Sequence, residues 1–428
     1  MIFIWRNLLF VLVAAAIGGC SAFLHSGSIS NGAVVRRDVF LLHSSTQQQQ
    51  QPTEPRSQPR SGIAQELLNL ALKSPLWTYV MVPQARASIV KTAESNGIQW
   101  INAKAWLNGQ ITIKDYSNVE YPDYYKQSFH AYSDGNLSYD AAVEQELASR
   151  AVGARNFPKY GERGEDVFRD SFDKALSSIG ARICDNNPNN NEKEQKKVIV
   201  DFGCGTGTST RRMASQYPQV DQLVGIDLSP YFIDVGNTLL KLAPNAITES
   251  NGNGGWITSI QSDERIELRQ GDMANTSLPS NSVSVVNLSL VIHELPTSVA
   301  KQVVSEAHRI LQPGGQLWIS EMDFESTAYK AQRENALLFS LLRATEPYLD
   351  EYADGMQELR EFIVDMFDST KITAATGRHY ALVAEKSLEN DDDEVVDRKK
   401  TFEDYRFRED GSYAVEDTHL KPWESKDE

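Results

Sequence analysis

The sequence predicts an α/β fold: a mostly parallel sheet with helices on both faces, preceded by a mostly helical N-terminal cap. Three observations predict it. From residue 198 onward, short apolar runs alternate with stretches whose apolar residues recur at helical spacing. The first apolar run, Val198–Val200, passes through Asp201 into a turn with glycines at 203, 205 and 207. Near the end, "TKITAATGRHYALVAEK" reads as two strands closing around Gly377-Arg378, an antiparallel addition to the sheet.

Residues 1–20 are apolar with one basic residue, Arg6, and end in small residues, as a cleaved signal peptide does. The alternative is an uncleaved anchor that would attach the chain to a membrane. Residues 21–61 are rich in Ser, Arg and Gln and carry only Asp38 and Glu54 as acids, which is transit-peptide composition. The two segments resemble the bipartite presequence of algae whose plastids have extra membranes, with Ser21, Ala22 and Phe23 at the junction. That resemblance implies delivery to the plastid (chloroplast) and loss of about the first sixty residues.

Residues 62–184 form the expected cap. "VPQARASIVKTAESNGIQW" offers Pro83 as a first helical residue and Gly97 as a stop. "LSYDAAVEQELASRAVGA" starts a helix after Ser138. Between them lies an aromatic, turn-rich stretch, "YPDYYKQSFHAYSDGNL". Residues 185–197 read as a linker. The sheet domain then occupies 198–386, with strands at "QLVGIDLS", "RIELRQGD", "SVSVVNLSLVI" and "QLWISEMD" after the first, and an Asn/Gly-rich insertion before the third. Val299, Val303, Ala307 and Ile310 mark a helix buried on one face, and two helical stretches cover roughly 328–366. Residues 387–428, which contain "NDDDE", read as a solvated acidic tail.

Charge and cysteine content narrow the function. The formal net charge is −16, from 42 basic and 58 acidic residues. Such a surface repels a phosphate backbone, so a nucleic-acid partner is not expected. Cys20, Cys184 and Cys204 lack metal-ligand spacing, so no metal site and no disulfide framework is expected.

Ligands of parallel sheets bind at the carboxyl ends of the strands, where the glycine turn sits. Gly203, Gly205 and Gly207 let backbone approach a ligand closely. A phosphate-gripping loop would end in Lys-Ser or Lys-Thr, which this turn lacks. A dinucleotide fingerprint would place a glycine where Thr208 stands. The "D-x-G-x-G-x-G" form instead resembles the first motif of class I S-adenosylmethionine-dependent methyltransferases. The similarity extends over about residues 196–386. "EAHRILQPGGQLWISEMD" resembles the type 11 subgroup that includes the ubiquinone and menaquinone biosynthesis enzymes.

The resemblance implies a Rossmann-like seven-stranded sheet of order 3-2-1-4-5-7-6 with the last strand antiparallel. It also implies S-adenosylmethionine as cofactor. Asp201 would lie near the methionine end. Asp227, followed by Leu228, would receive the ribose hydroxyls, and Asp272 the adenine amine, with the Met273 N–H on the ring. Any one of these acids read alone is a solvated loop carboxylate; their place at three successive strand tips sets them apart. The quinone enzymes carry an Arg-Asn pair after strand four where this chain has His293-Glu294, which separates it from quinone specificity. His293 is the candidate base, for an acceptor at oxygen or carbon rather than nitrogen. His130, Tyr132, Glu294 and Glu346 are candidates for lining the pocket of a small-molecule substrate. Two alternatives remain at this level: an NAD(P)-dependent oxidoreductase on a similar sheet, and a catalytically silent S-adenosylmethionine-binding protein.

Overall fold

The computed structural model describes residues 82–130, 132–183, 196–242, 263–334, 339, 342, 345–388 and 400–417. The presequence expected over 1–61, and most of the linker and of the Asn/Gly-rich insertion, lie outside the described residues. Among the described residues no helix is long and apolar enough to cross a membrane, and no group of three or more His, Cys, Asp or Glu could hold a metal ion.

The sheet has eight strands in the order β3-β2-β1-β4-β5-β7-β6-β8. They are β1 (Val198–Phe202), β2 (Gln222–Asp227), β3 (Ile266–Gln270), β4 (Val283–Ser289), β5 (Leu311–Met322), β6 (Ser369–Thr376), β7 (His379–Glu385) and β8 (Thr401–Tyr405). The first five pair in parallel, and β7 runs antiparallel between β5 and β6. The order expected from the sequence is present in full. The eighth strand is a correction: β8 pairs in parallel with β6 inside the stretch read as a solvated tail. Arg406, just after it, is 1% exposed. The acidic run at 390–394 hid this strand, because its charge dominates the composition around a short apolar-poor segment.

Side-chain alternation sorts the strands between two cores. On one face, Val200, Phe202, Val286, Leu288, Leu317 and Ile319 pack with α7 (Thr297–Ile310) and α9 (Leu349–Met366). On the other, Ile199, Leu223, Val285 and Trp318 pack with α4 (Gly164–Ser178) and α5 (Thr208–Gln216). The short α8 (Thr327–Glu334) follows β5. The expected cap is therefore not a separate layer throughout, since α4 lies on the sheet. The rest of the cap, α1 (Val82–Ser95), α2 (Trp100–Asn108) and α3 (Tyr139–Asn156), shares a third cluster with Phe232, Val235 and Leu239 of α6 (Pro230–Lys241). Ser138 caps α3 as its sequence predicts, its hydroxyl accepting from the Ala141 N–H at 3.2 Å. Gly153 of α3 and Gly164 of α4 meet so closely that a Cβ on either would collide with the other's backbone neighbours. That contact ties the cap to the helix that lies on the sheet.

Candidate active site

The glycine turn joins β1 to α5, and all three of its glycines have positive φ. Slimness is required from two sides. A Cβ on Gly203 would come 2.7 Å from Val291, after β4, and one on Gly205 would collide with the Gln145 amide of α3. Gln145 Oε1 accepts the Thr206 N–H at 2.6 Å, so the cap is hydrogen-bonded to the turn itself. Glu146 pairs with Arg211 beside it.

Asp201 is 1% exposed, and its oxygens are engaged within the protein. Oδ2 accepts the hydroxyls of Ser209 and Thr210, each at 2.6 Å. Oδ1 accepts Asn287 Nδ2 at 2.8 Å, across a parallel register that sets Asn287 beside Asp201. Burial raises the Asp201 pKa, and these three donors oppose it. Asp201 thus clamps β1, β4 and the first turn of α5 together.

Asp227 ends β2 and is also buried. Its Oδ2 accepts the Gly205 N–H at 2.9 Å, and Oδ1 accepts the Ser229 N–H at 2.8 Å and the Tyr125 hydroxyl at 3.1 Å. Burial raises its pKa, against those donors. Leu228 is buried next to it. Asp272 lies two residues beyond β3 and accepts the Ala274 N–H at 2.8 Å. Met273 packs its side chain into the main core, leaving only its backbone for a ligand. Tyr124 lies within electrostatic reach of both Asp227 and Asp272, and its hydroxyl is buried without a hydrogen-bond partner.

The other half of the site gathers after β4. His293 is 7% exposed and stands in a single 3₁₀ turn, Ile292–Glu294. Its Nδ1 lies 2.8 Å from Oε1 of Glu321, a fully buried carboxylate near the end of β5. Burial alone would lower the His293 pKa; the charge and hydrogen bond of Glu321, together with the Glu294 and Glu346 charges, outweigh it and push the imidazole up to about 9. His130 Nε2 lies 3.0 Å from Glu346 and 3.6 Å from Glu294. The His130 side chain is 43% exposed, and the two carboxylates raise its pKa. Asn136 donates to Glu294 at 3.2 Å. The second oxygen of Glu346, which is 8% exposed, is buried without a partner. Tyr132 is not brought to this group: its hydroxyl donates to Glu144 of α3, and the Arg86 guanidinium lies 4.6 Å from its ring.

Residues 200–319 match the family model described as a methyltransferase domain. This segment of the chain is a methyltransferase domain. An uncharacterized methyltransferase of Emericella nidulans is 26% identical over 140 residues, covering 32% of this chain and 45% of that protein. The demethylmenaquinone methyltransferase of Lactiplantibacillus plantarum is 26% identical over 119 residues, covering 28% and 42%. The chain thus spans less than half the length of these relatives. A solved structure of a SAM-dependent methyltransferase from Methanosarcina mazei covers 48% of this chain and all of its own, at 16% identity and a TM-score of 0.32.

S-adenosylmethionine is the cofactor a methyltransferase domain implies, and the residues fit it. The cofactor lacks phosphate, and this turn supplies no phosphate-gripping lysine; it supplies backbone, with acids at the next two strand tips. Of the residues that complete the domain's mouth, sequence reading missed Tyr125, Asn136, Gln145 and Glu321. The first three come from the cap, and only the aromatic density around Tyr125 signalled it. Glu321 could be found only from the β4–β5 register, which sets Ser289 opposite Ser320.

Proposed function

We propose that this chain transfers the methyl group of S-adenosylmethionine to a small-molecule acceptor, at oxygen or carbon rather than nitrogen. The observation that supports the acceptor chemistry is the buried His293–Glu321 pair, set at the tips of β4 and β5 next to the cofactor turn. A neutral amine needs no base, whereas a hydroxyl or an acidic carbon does. When bound, S-adenosylmethionine supplies an electrophilic methyl on a sulfonium centre, and the protein supplies alignment and a water-poor pocket.

The chain's own residues have distinct tasks in this reading. Asp227 accepts ribose hydroxyls, Asp272 accepts the adenine amine, and the Met273 N–H faces the ring. Glu321 holds the Nδ1 proton of His293, which leaves Nε2 to take the acceptor's proton, and it then stabilises the imidazolium. Glu294, Glu346 and His130 form the polar wall toward which the acceptor is oriented. Demethylmenaquinone methyltransferases are similar over this domain, but His293-Glu294 replaces their Arg-Asn pair, and a quinone is not the acceptor proposed. The acidic net charge argues against nucleic acid.

Calorimetry tests the cofactor half. Hydrogen bonds to a charged group contribute about 1.5–3 kcal/mol each. Asp227→Ala should therefore weaken S-adenosylmethionine binding at least about tenfold. A folded variant that binds as wild type does overturns the assignment. A screen of small hydroxyl-bearing and carbon-acid acceptors with labelled methyl donor tests the transfer itself, and binding without transfer to any of them would favour a silent cofactor-binding protein.

A further inference from the structure

The segment from Tyr121 to Leu137 touches both halves of the site. At one end the Tyr125 hydroxyl donates to Asp227 Oδ1, and the Tyr124 hydroxyl has no partner beside the same acid. At the other, the His130 N–H donates to the Thr345 carbonyl at 2.9 Å, and its ring lies between Glu294 and Glu346. His130 has φ +50°, a left-handed conformation that a non-glycine residue adopts only when its surroundings hold it there. Asn136 links the two ends: its carbonyl accepts the Ser229 hydroxyl at 2.6 Å next to Asp227, and its amide donates to Glu294.

Asp227 has too few acceptor sites for everything that converges on it. A carboxylate offers about four lone-pair directions. Two are taken by the N–H groups of Gly205 and Ser229, which are fixed by the glycine turn and by the end of β2. Tyr125 takes a third. A ribose diol needs two. Of the three donors present, only Tyr125 comes from a side chain on a separate segment, so it is the one that can yield.

We propose that Tyr121–Leu137 is a strap coupling the two halves of the site: a ribose diol on Asp227 displaces Tyr125, and the displaced strap loosens His130 and Asn136 from Glu294 and Glu346, which then receive the acceptor. Cofactor binding before acceptor follows. The proposal rests on the methyltransferase reading above, with Asp227 as ribose acceptor. The strap acts as a competitor for Asp227 and as a positioning device for the acceptor wall. The unpartnered oxygen of Glu346 fits that wall, since a buried acceptor without a donor favours an incoming hydroxyl.

Two measurements test it, both on the full chain. In Tyr125→Phe, calorimetry with S-adenosylmethionine should show binding tightened about three- to tenfold, because one competing hydrogen bond is gone. In the wild type, which needs no substitution, saturating S-adenosylmethionine should speed amide exchange of His130, whose N–H is held by Thr345. Unchanged or weaker affinity in Tyr125→Phe overturns the competition, and slower or unchanged exchange at His130 overturns the coupling. If Asp227→Ala weakens binding while Tyr125→Phe leaves it unchanged, the strap alone fails. If neither substitution alters the affinity, the ribose assignment of Asp227 fails with it.

Discussion

His293 reaches Glu321 across the seam between β4 and β5, and that contact governs which proton the imidazole can move. With its pKa pushed up to about 9, His293 is an imidazolium at neutral pH, and only about one molecule in a hundred carries the neutral base there. If His293 takes a proton from the acceptor, single-turnover rates at saturating cofactor should rise about tenfold per pH unit from 7 toward 9 and then level off. Glu321→Gln removes the charge that holds the imidazolium, so the inflection should move to lower pH. A pH-independent rate in the wild type would reduce His293 to a residue that shapes the loop after β4. Asp201 shows the limit of reading single residues. Its place at the tip of β1 was legible, but its partners Ser209, Thr210 and Asn287 depend on helix phase and strand register, and they turn it inward.

At the scale of elements, the strand–helix alternation was legible because period-two and period-3.6 patterns differ clearly over each run. β8 was not, since Thr401–Tyr405 exposes most of its side chains and contributes little to the core. Beyond its backbone pairing with β6, its attachment is electrostatic. Arg406 donates to both oxygens of Asp323 at 3.1 and 3.2 Å, to Glu325 at 2.7 Å and to Asp404 at 2.7 Å, and the Tyr413 hydroxyl donates to Asp323 at 2.8 Å. Burial raises the Asp323 pKa, and the Arg406 charge opposes it. Asp323 directly follows β5, two residues from Glu321, so the carboxyl-terminal segment secures the strand that carries the partner of His293. Removing one member of a buried pair leaves the other charge uncompensated, at a cost of about 3–5 kcal/mol. Arg406→Ala should lower the urea unfolding free energy by about that amount. Arg406→Ala combined with Asp323→Asn should recover part of it, and a single variant as stable as wild type would contradict the role given to this segment.

Across the whole molecule, two buried histidines set opposite pH limits. His379, at the start of β7, is packed by Phe168 and Phe172 of α4, with ring centroids 4.9 and 5.7 Å away, and by Tyr329. Burial, with the nearby Arg378 charge, lowers its pKa to about 3. The unfolded chain takes up this proton near pH 6.5 and the folded chain only near pH 3. The stability that neutral His379 contributes is therefore complete above about pH 6.5 and is lost as pH falls toward 3. His293 has the reverse sign: its raised pKa contributes stability below about pH 6.5 that is lost as pH rises through about 9. The folded state should be most stable between these two ranges. Carboxylates also titrate on the acid side, so the comparison must be with a variant. In His379→Gln, which keeps a polar side chain near Thr376 but takes up no proton, urea midpoints should fall less steeply between pH 6.5 and 4 than in the wild type. Parallel curves for the two proteins would show that the α4–β7 contact does not hold His379 neutral.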